Sequence, residues 1–135
     1  MKISLVKDSK AGALRAYFSL LQFVFPREKQ LTELEIELLI LFLSLPEKFK
    51  YSRFSTLAKN KVIERAAQEK DWKLSRINVN NKLYSLIEKG VLVRDEDGVI
   101  YINKTIDRGI SQLIQAINSS SGMEITFEIK WKQKE

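Results

Sequence analysis

The stretch NNKLYSLIEKGVLVRDEDGVIYIN, residues 80–103, changes its hydrophobic period in mid-course. Before Gly90 the apolar residues recur at helical spacing, and after it they alternate as in a strand. Gly90 stands at the change, where a helix can end cheaply in a left-handed residue. Asp97-Gly98 marks a second sharp turn, the tip of a β-hairpin. The stretch therefore dictates a short helix running directly into a two-stranded ribbon, and the rest of the fold has to be built around that unit.

The flanking sequence supplies further elements. Residues 2–7 read as a short strand with Ile3 and Leu5 on one face. Residues 11–25 read as a helix through Leu14, Tyr17, Phe18, Leu21 and Phe25, stopped by Pro26. A second helix starts at Thr32, an N-cap with Glu35 three residues on, and continues to Leu45 before Pro46. From Leu38 to Leu43 it is apolar all round, so it must be covered on several sides. Residues 53–70 read as helical, in one or two pieces. KDWKLS then forms a turn, with Ser75 capping a helix that buries Val79, Leu83, Leu86 and Ile87. In the hairpin, Val91 and Val93 are expected to pair with Ile100 and Ile102. A helix over 105–118 follows. Last comes MEITFEIKWKQ, whose strict alternation predicts an antiparallel strand pairing with the N-terminal strand or the hairpin.

Together these make an α+β chain, mainly α, read as a single domain over 1–135. Its core spans 32–104, with a strand and helix before it at 1–31 and a helix and strand after it at 105–135. The 135 residues, 44 % hydrophobic, are enough for a sizeable core. No apolar run approaches the ~20 residues that span a bilayer, and the N-terminus does not read as a secretory signal. The expectation is a soluble protein of the cytoplasm with no membrane partner.

The chain contains neither Cys nor His. That excludes disulfides, thiolate nucleophiles, His-based triads and His-containing zinc sites. The acidic cluster RDEDG lacks the ligand spacing of a calcium loop and reads as a solvated turn. There is no Gly-rich phosphate loop or paired-carboxylate motif. No catalytic residue, metal or cofactor is expected, and the chain reads as a non-enzyme.

The net charge of +6 makes an anionic partner plausible. Its distribution is uneven. Residues 51–90 hold nine Lys/Arg against four Asp/Glu, whereas residues 32–50 and 91–104 are net acidic. Positive charge is concentrated in the segment that leads into the opening stretch.

The segment VIERAAQEKDWKLSRINVNNKLYSLIEKGVLVRDEDGVIYIN resembles the winged helix-turn-helix family. Ala66 and Ala67 sit where the pattern keeps small residues for close helix packing. KLS sits where the turn closes and the recognition helix begins, and Val79 occupies its buried position. LYSLIEKGVL matches the Leu-x-x-Leu-x-x-x-Gly-hydrophobic end of that helix, and RDEDGVIYI matches the wing. The resemblance covers residues 32–104. It departs from the pattern in two places: EKDW stands where a turn Gly is usual, and the wing tip is acidic. A narrower similarity is to small phage-encoded winged-helix proteins.

The resemblance implies a helix presented to the major groove of double-stranded DNA, with the hairpin extending the contact. Arg76, Asn78 and Asn81 become candidate base-readers, because Arg and Asn can form paired hydrogen bonds to guanine and adenine edges. Ser75, Lys82, Ser85, Lys73, Lys59 and Lys61 become candidate phosphate contacts, with Arg94 at the wing. Each has an ordinary structural reading beside it: a solvated helix start for Asn78, Asn80 and Asn81, surface solvation for the lysines, an ion pair with Asp95 or Asp97 for Arg94. Trp72 reads as a plug beneath the turn, and Tyr17, Phe18, Phe23 and Phe25 as core or an oligomer contact. The first functional expectation is a DNA-binding transcription or replication accessory factor, phage-type, acting in the host cytoplasm. The second is a virion connector or neck protein, a homo-oligomer that uses the same fold to bind partner subunits. The acidic wing favours the second, since carboxylates near a phosphate backbone are repelled.

Overall fold

The computed structural model describes the backbone of residues 2–6, 10–119 and 124–128, and the side chains of 10–116. In chain order the elements are β1 (Lys2–Val6), α1 (Lys10–Leu21), α2 (Glu33–Leu43), α3 (Thr56–Lys70), α4 (Arg76–Glu88), β2 (Leu92–Arg94), β3 (Ile100–Ile102), α5 (Lys104–Ser119) and β4 (Glu124–Glu128). Short 3-10 turns lie at Arg27–Lys29 and Glu47–Phe49. The protein is thus α+β and mainly helical. It divides into two compact units, a continuous one over residues 31–102 and one assembled from both ends, 1–30 with 103–135.

In the unit built from both ends, β1 and β4 pair antiparallel, with Ile3 opposite Phe127 and Leu5 opposite Ile125. The C-terminal strand therefore chooses the N-terminal strand over the hairpin; Ile129 and Trp131 of its alternation lie outside the described residues. Leu14, Tyr17, Phe18 and Leu21 of α1 are buried, as are Ile106, Ile110 and Leu113 of α5. The Tyr17 hydroxyl donates to the Ile106 carbonyl at 3.5 Å, and burial pushes it up to about 12. A Cβ on Gly109 would collide with that hydroxyl, so glycine lets α5 pass close to Tyr17. The first helix is shorter than its periodicity suggests. It ends at Leu21, and Gln22, Phe23 and Val24 close 3-10-type bonds to Ser19, Leu20 and Leu21. Pro26 disfavours helix in the residue before it, so the chain tightens ahead of the proline. Phe25 is buried in this turn while Phe23 is 76 % exposed.

The continuous unit is organised on α2. Thr32 and Glu35 form the expected capping box, and eight of the eleven residues of α2 are buried. The helix stops at Leu43 rather than Leu45, with Ser44 as its last cap. Its C-terminal carbonyls are met by arginines: Arg53 Nη1 donates to Phe42 and Leu43, and Arg65 Nη1 to Ser44 at 3.0 Å. Cations there also oppose the negative end of the helix dipole. Residues 53–55 are not helical; α3 is a single helix capped by Ser55, whose hydroxyl accepts from Ala58 N–H. Phe54, just before the cap, packs its ring 4.8 Å from that of Phe42. Ala66 is fully buried, but Ala67 is exposed, so only the first of the two alanines serves close packing.

The turn between α3 and α4 manages without glycine because Asp71 takes the left-handed conformation, φ 50°, as the cap of α3. Asp tolerates that region better than most residues. Trp72 N–H then returns to the Ala66 carbonyl at 3.0 Å, and its side chain is half-buried. At the far end of α4, Gly90 (φ 83°) donates to Ile87 and Val91 to Leu86, the paired bonds that close a Schellman cap. The hairpin differs in register from the sequence expectation. Leu92, not Val93, stands opposite Ile102, and Arg94 stands opposite Ile100. The shift follows from the tip. Asp95 N–H donates to Val99 across a three-residue loop closed by Gly98 (φ 81°), and the Asp95 carboxylate accepts from the amides of Asp97 and Val99.

Candidate nucleic-acid interface

Helix α4 starts where Ser75 and Asn78 satisfy each other. Asn78 N–H donates to Ser75 Oγ at 3.1 Å, while Asn78 Oδ1 accepts from Ser75 Oγ at 2.8 Å and from its backbone N–H at 3.2 Å. Val79, Leu83 and Leu86 form the buried face. The remaining positions divide into two flanks and an outer face, with different fates.

The flank carrying Asn78, Lys82, Ser85 and Lys89 shares a concavity with Thr32 and Glu35 at the start of α2, and Asn81 also lines it. Glu35 is 3 % exposed. Its carboxylate accepts from Ser85 Oγ at 2.7 Å, Lys89 Nζ at 2.5 Å and the Thr32 amide at 2.8 Å. Burial pushes the Glu35 carboxyl up, but the bonds from Lys89, Thr32 and Ser85, with the charge of Lys89, outweigh burial and hold it below its ordinary value. Ser85 and Lys89 thereby tie α4 to α2 and are spent on that task.

The opposite flank holds surplus cations. Arg76, the first residue of α4, donates to Asn60 Oδ1 on α3. Lys59, beside Asn60, is half-buried. Its ammonium is held below its ordinary value by burial first and then by the charges of Arg76 and Arg94. Arg94 on β2 donates to the Tyr84 hydroxyl at 3.2 Å, its guanidinium carbon 4.7 Å from the ring centre. Arg94 thus lies against Tyr84, while Lys59 feels the charges of both Arg76 and Arg94.

The outer face carries Ile77, Asn81, Tyr84 and Glu88, all exposed. Ile77 is 71 % and Tyr84 55 % exposed. Of the candidate base-readers, then, Asn81 is exposed at the border between the outer face and the concavity against α2, Asn78 caps the helix start and Arg76 is held on the α3 flank. Of the candidate phosphate contacts, Lys59 and Arg94 belong to the flank of surplus cations. Ser75 is a cap and Ser85 is bonded to Glu35. Lys61 pairs with Glu64 at 3.7 Å, Lys73 is exposed in the turn, and Lys82 lies on the α2 flank. Arg94 pairs with Tyr84 rather than with the acidic tip. The sequence reading missed Asn60, Ile77 and Tyr84. Ile77 and Tyr84 did leave a signal, being seven residues apart and off the Val79–Leu83–Leu86 face.

No family model, no curated protein and no solved structure matches the chain. Among the described residues no helix is long and apolar enough to cross a membrane.

Proposed function

We propose that residues 31–102 are a winged-helix unit that binds double-stranded DNA without catalysing a reaction. In this reading α4 lies in the major groove, hairpin β2–β3 is the wing, and the protein serves as a transcription or replication accessory factor. The observation that carries it is the placement of cations from separate elements around the exposed face of α4: Arg94 of the wing lies against Tyr84, and Arg76 at the helix start is bonded to Asn60, next to Lys59 of α3. Like charges are brought together at a cost to the fold, and a phosphate backbone would relieve that cost. The acidic tip is less repulsive than its composition suggests, since the Asp95 carboxylate is turned onto the amides of its own loop.

Fluorescence anisotropy with a random duplex, from about 50 to 300 mM salt, tests the proposal. Affinity should fall steeply with salt, and replacing Lys59, Arg76 and Arg94 together by Ala should flatten the slope. No binding at 50 mM salt would sink the reading.

A second reading is favoured by the exposure of Ile77 and Tyr84, apolar side chains that a protein partner would bury. Under it the unit binds partner subunits in a virion assembly. Light scattering on the same sample would then show a stable oligomer with no duplex affinity.

A further inference from the structure

The outer face of α4 has a composition that selects among base pairs. Ile77, Asn81 and Tyr84 stand at i, i+4 and i+7, so they follow one another along the exposed side of the helix. Asn81 is exposed, and its side chain is unengaged among the described residues. A free carboxamide is the group that bonds adenine through both N6 and N7. The apolar neighbours a turn to either side suit the thymine methyl, the one apolar group on a major-groove edge. Of the side chains that would read guanine, Arg76 is bonded to Asn60 on one flank and Lys89 to Glu35 on the other, where Lys82 also lies. Charge complementarity supplies the reason a duplex would occupy this face, because Arg94 of the hairpin lies against Tyr84 and Arg76 opens the same helix.

From this placement we propose that α4 reads A·T pairs, with Asn81 on an adenine and Ile77 and Tyr84 against thymine methyls on either side. The inference rests on the DNA-binding reading and adds the class of site to it.

The full chain is titrated by anisotropy at about 100 mM salt against three duplex pools of equal length. One contains only A·T pairs in mixed order, one only G·C pairs, and one repeats the first with deoxyuridine in place of thymidine. Removal of the methyl leaves pairing, backbone and minor groove unchanged. The A·T pool should bind about tenfold or more tighter than the G·C pool, and uracil should weaken binding about three- to tenfold. Asn81→Ala should cut the ratio of A·T to G·C binding about threefold, leaving the share owed to the thymine methyls, with the salt slope unchanged. Circular dichroism checks that this exposed substitution leaves the fold intact. Equal affinity for the A·T and G·C pools overturns the inference while the DNA reading stands. An A·T preference that survives uracil unchanged overturns the methyl contacts of Ile77 and Tyr84, and one that survives both uracil and Asn81→Ala overturns the inference, since the duplex is then read through shape or the minor groove. A preference unchanged in Asn81→Ala overturns the assignment of that residue. Absence of binding to all three pools at 50 mM salt removes the DNA reading and the inference together.

Discussion

The two flanks of α4 both hold cations, and the protein treats them in opposite ways. On one side Lys89 meets the buried carboxylate of Glu35, whose other bonds come from Ser85 and Thr32. On the other side Lys59 feels the like charges of Arg76 and Arg94, whose bonds go to the neutral partners Asn60 and Tyr84. The first arrangement lowers the free energy of the fold by matching charges away from water; the second leaves charge unmatched near the surface. The difference shows how to read a basic stretch. Of the nine cations in residues 51–90, Arg53, Arg65, Lys70 and Lys89 are committed to carbonyls or carboxylates of α2. What remains for a partner is set by geometry, not by net charge.

The largest expected effect breaks the matched side. Glu35→Ala removes the acceptor of two hydrogen bonds from α4 and leaves Lys89, whose side chain is only 17 % exposed, without its partner. Loss of about 3 kcal/mol is expected, read as a fall of about 2 M in the urea midpoint at a slope near ~1.5 kcal/mol per M. Glu35→Gln keeps the acceptor for Ser85 and should cost about half as much. Adding Lys89→Met to it should restore most of the difference. A loss below about 1 kcal/mol for Glu35→Ala would mean that apolar packing alone seats α4.

Acid should erase part of that difference. The Glu35 carboxyl titrates below its ordinary 4.5 in the folded protein. The unfolded chain therefore binds the proton more readily, and the stability conferred by the carboxylate is present above about pH 4.5. It is lost as the pH falls through the folded value. The advantage of the natural chain over Glu35→Gln should be constant from pH 5 to 7 and shrink below pH 4.5, measured by urea unfolding at each pH. An advantage that persists to pH 2 would assign it to packing rather than to charge.

Much of the scaffold around this comparison was legible in sequence, because it is local. Thr32 with Glu35, Ser75 before α4, Gly90 after it and Gly98 at the hairpin tip each act within four residues of themselves, and each does its expected work. Asp71 was less legible, since taking a left-handed cap is open to Asp but not its commonest state. The second role of Glu35 could not be read at all. Its bonds to Ser85 and Lys89 cross 50 and 54 residues, and nothing in a capping box announces that its carboxylate has spare acceptors for another helix. The same holds for the rotation of α4. Ser85 and Asn81 were both candidate DNA contacts, and only the position of α2 decides that Ser85 turns inward to Glu35.

On the unmatched side the effects are smaller and appear in binding. Lys59→Met removes a charge that repels those of Arg76 and Arg94 and keeps an apolar stem in the half-buried site. Stability should hold or rise by up to about 0.5 kcal/mol. The folded amine titrates below its ordinary 10.5, so any gain should be present at neutral pH and vanish as the pH approaches 10.5, where the charge is lost in both states. Duplex affinity should fall several-fold and the slope of log K against log salt by about 0.9. A drop in stability would mean that the ammonium has a partner in the fold and that the cluster is structural.

The finest test separates the ring of Tyr84 from its hydroxyl. Arg94 uses both, with a 3.2 Å bond to the oxygen and its guanidinium carbon 4.7 Å from the ring centre. Tyr84→Phe deletes only the bond, at an exposed site where water takes the freed donor, so stability should change by less than about 0.5 kcal/mol. The ring still orients Arg94 and, if α4 reads A·T pairs as proposed, still offers an apolar edge to a thymine methyl. Duplex affinity should therefore fall by less than about threefold, with the ratio of A·T to G·C binding unchanged. Tyr84→Ala removes the platform as well, and should lower both affinity and that ratio. If Tyr84→Phe is as damaging as Tyr84→Ala, the hydroxyl itself makes the contact, and the outer face of α4 would then work through polar bonds at two positions, Asn81 and Tyr84, instead of one.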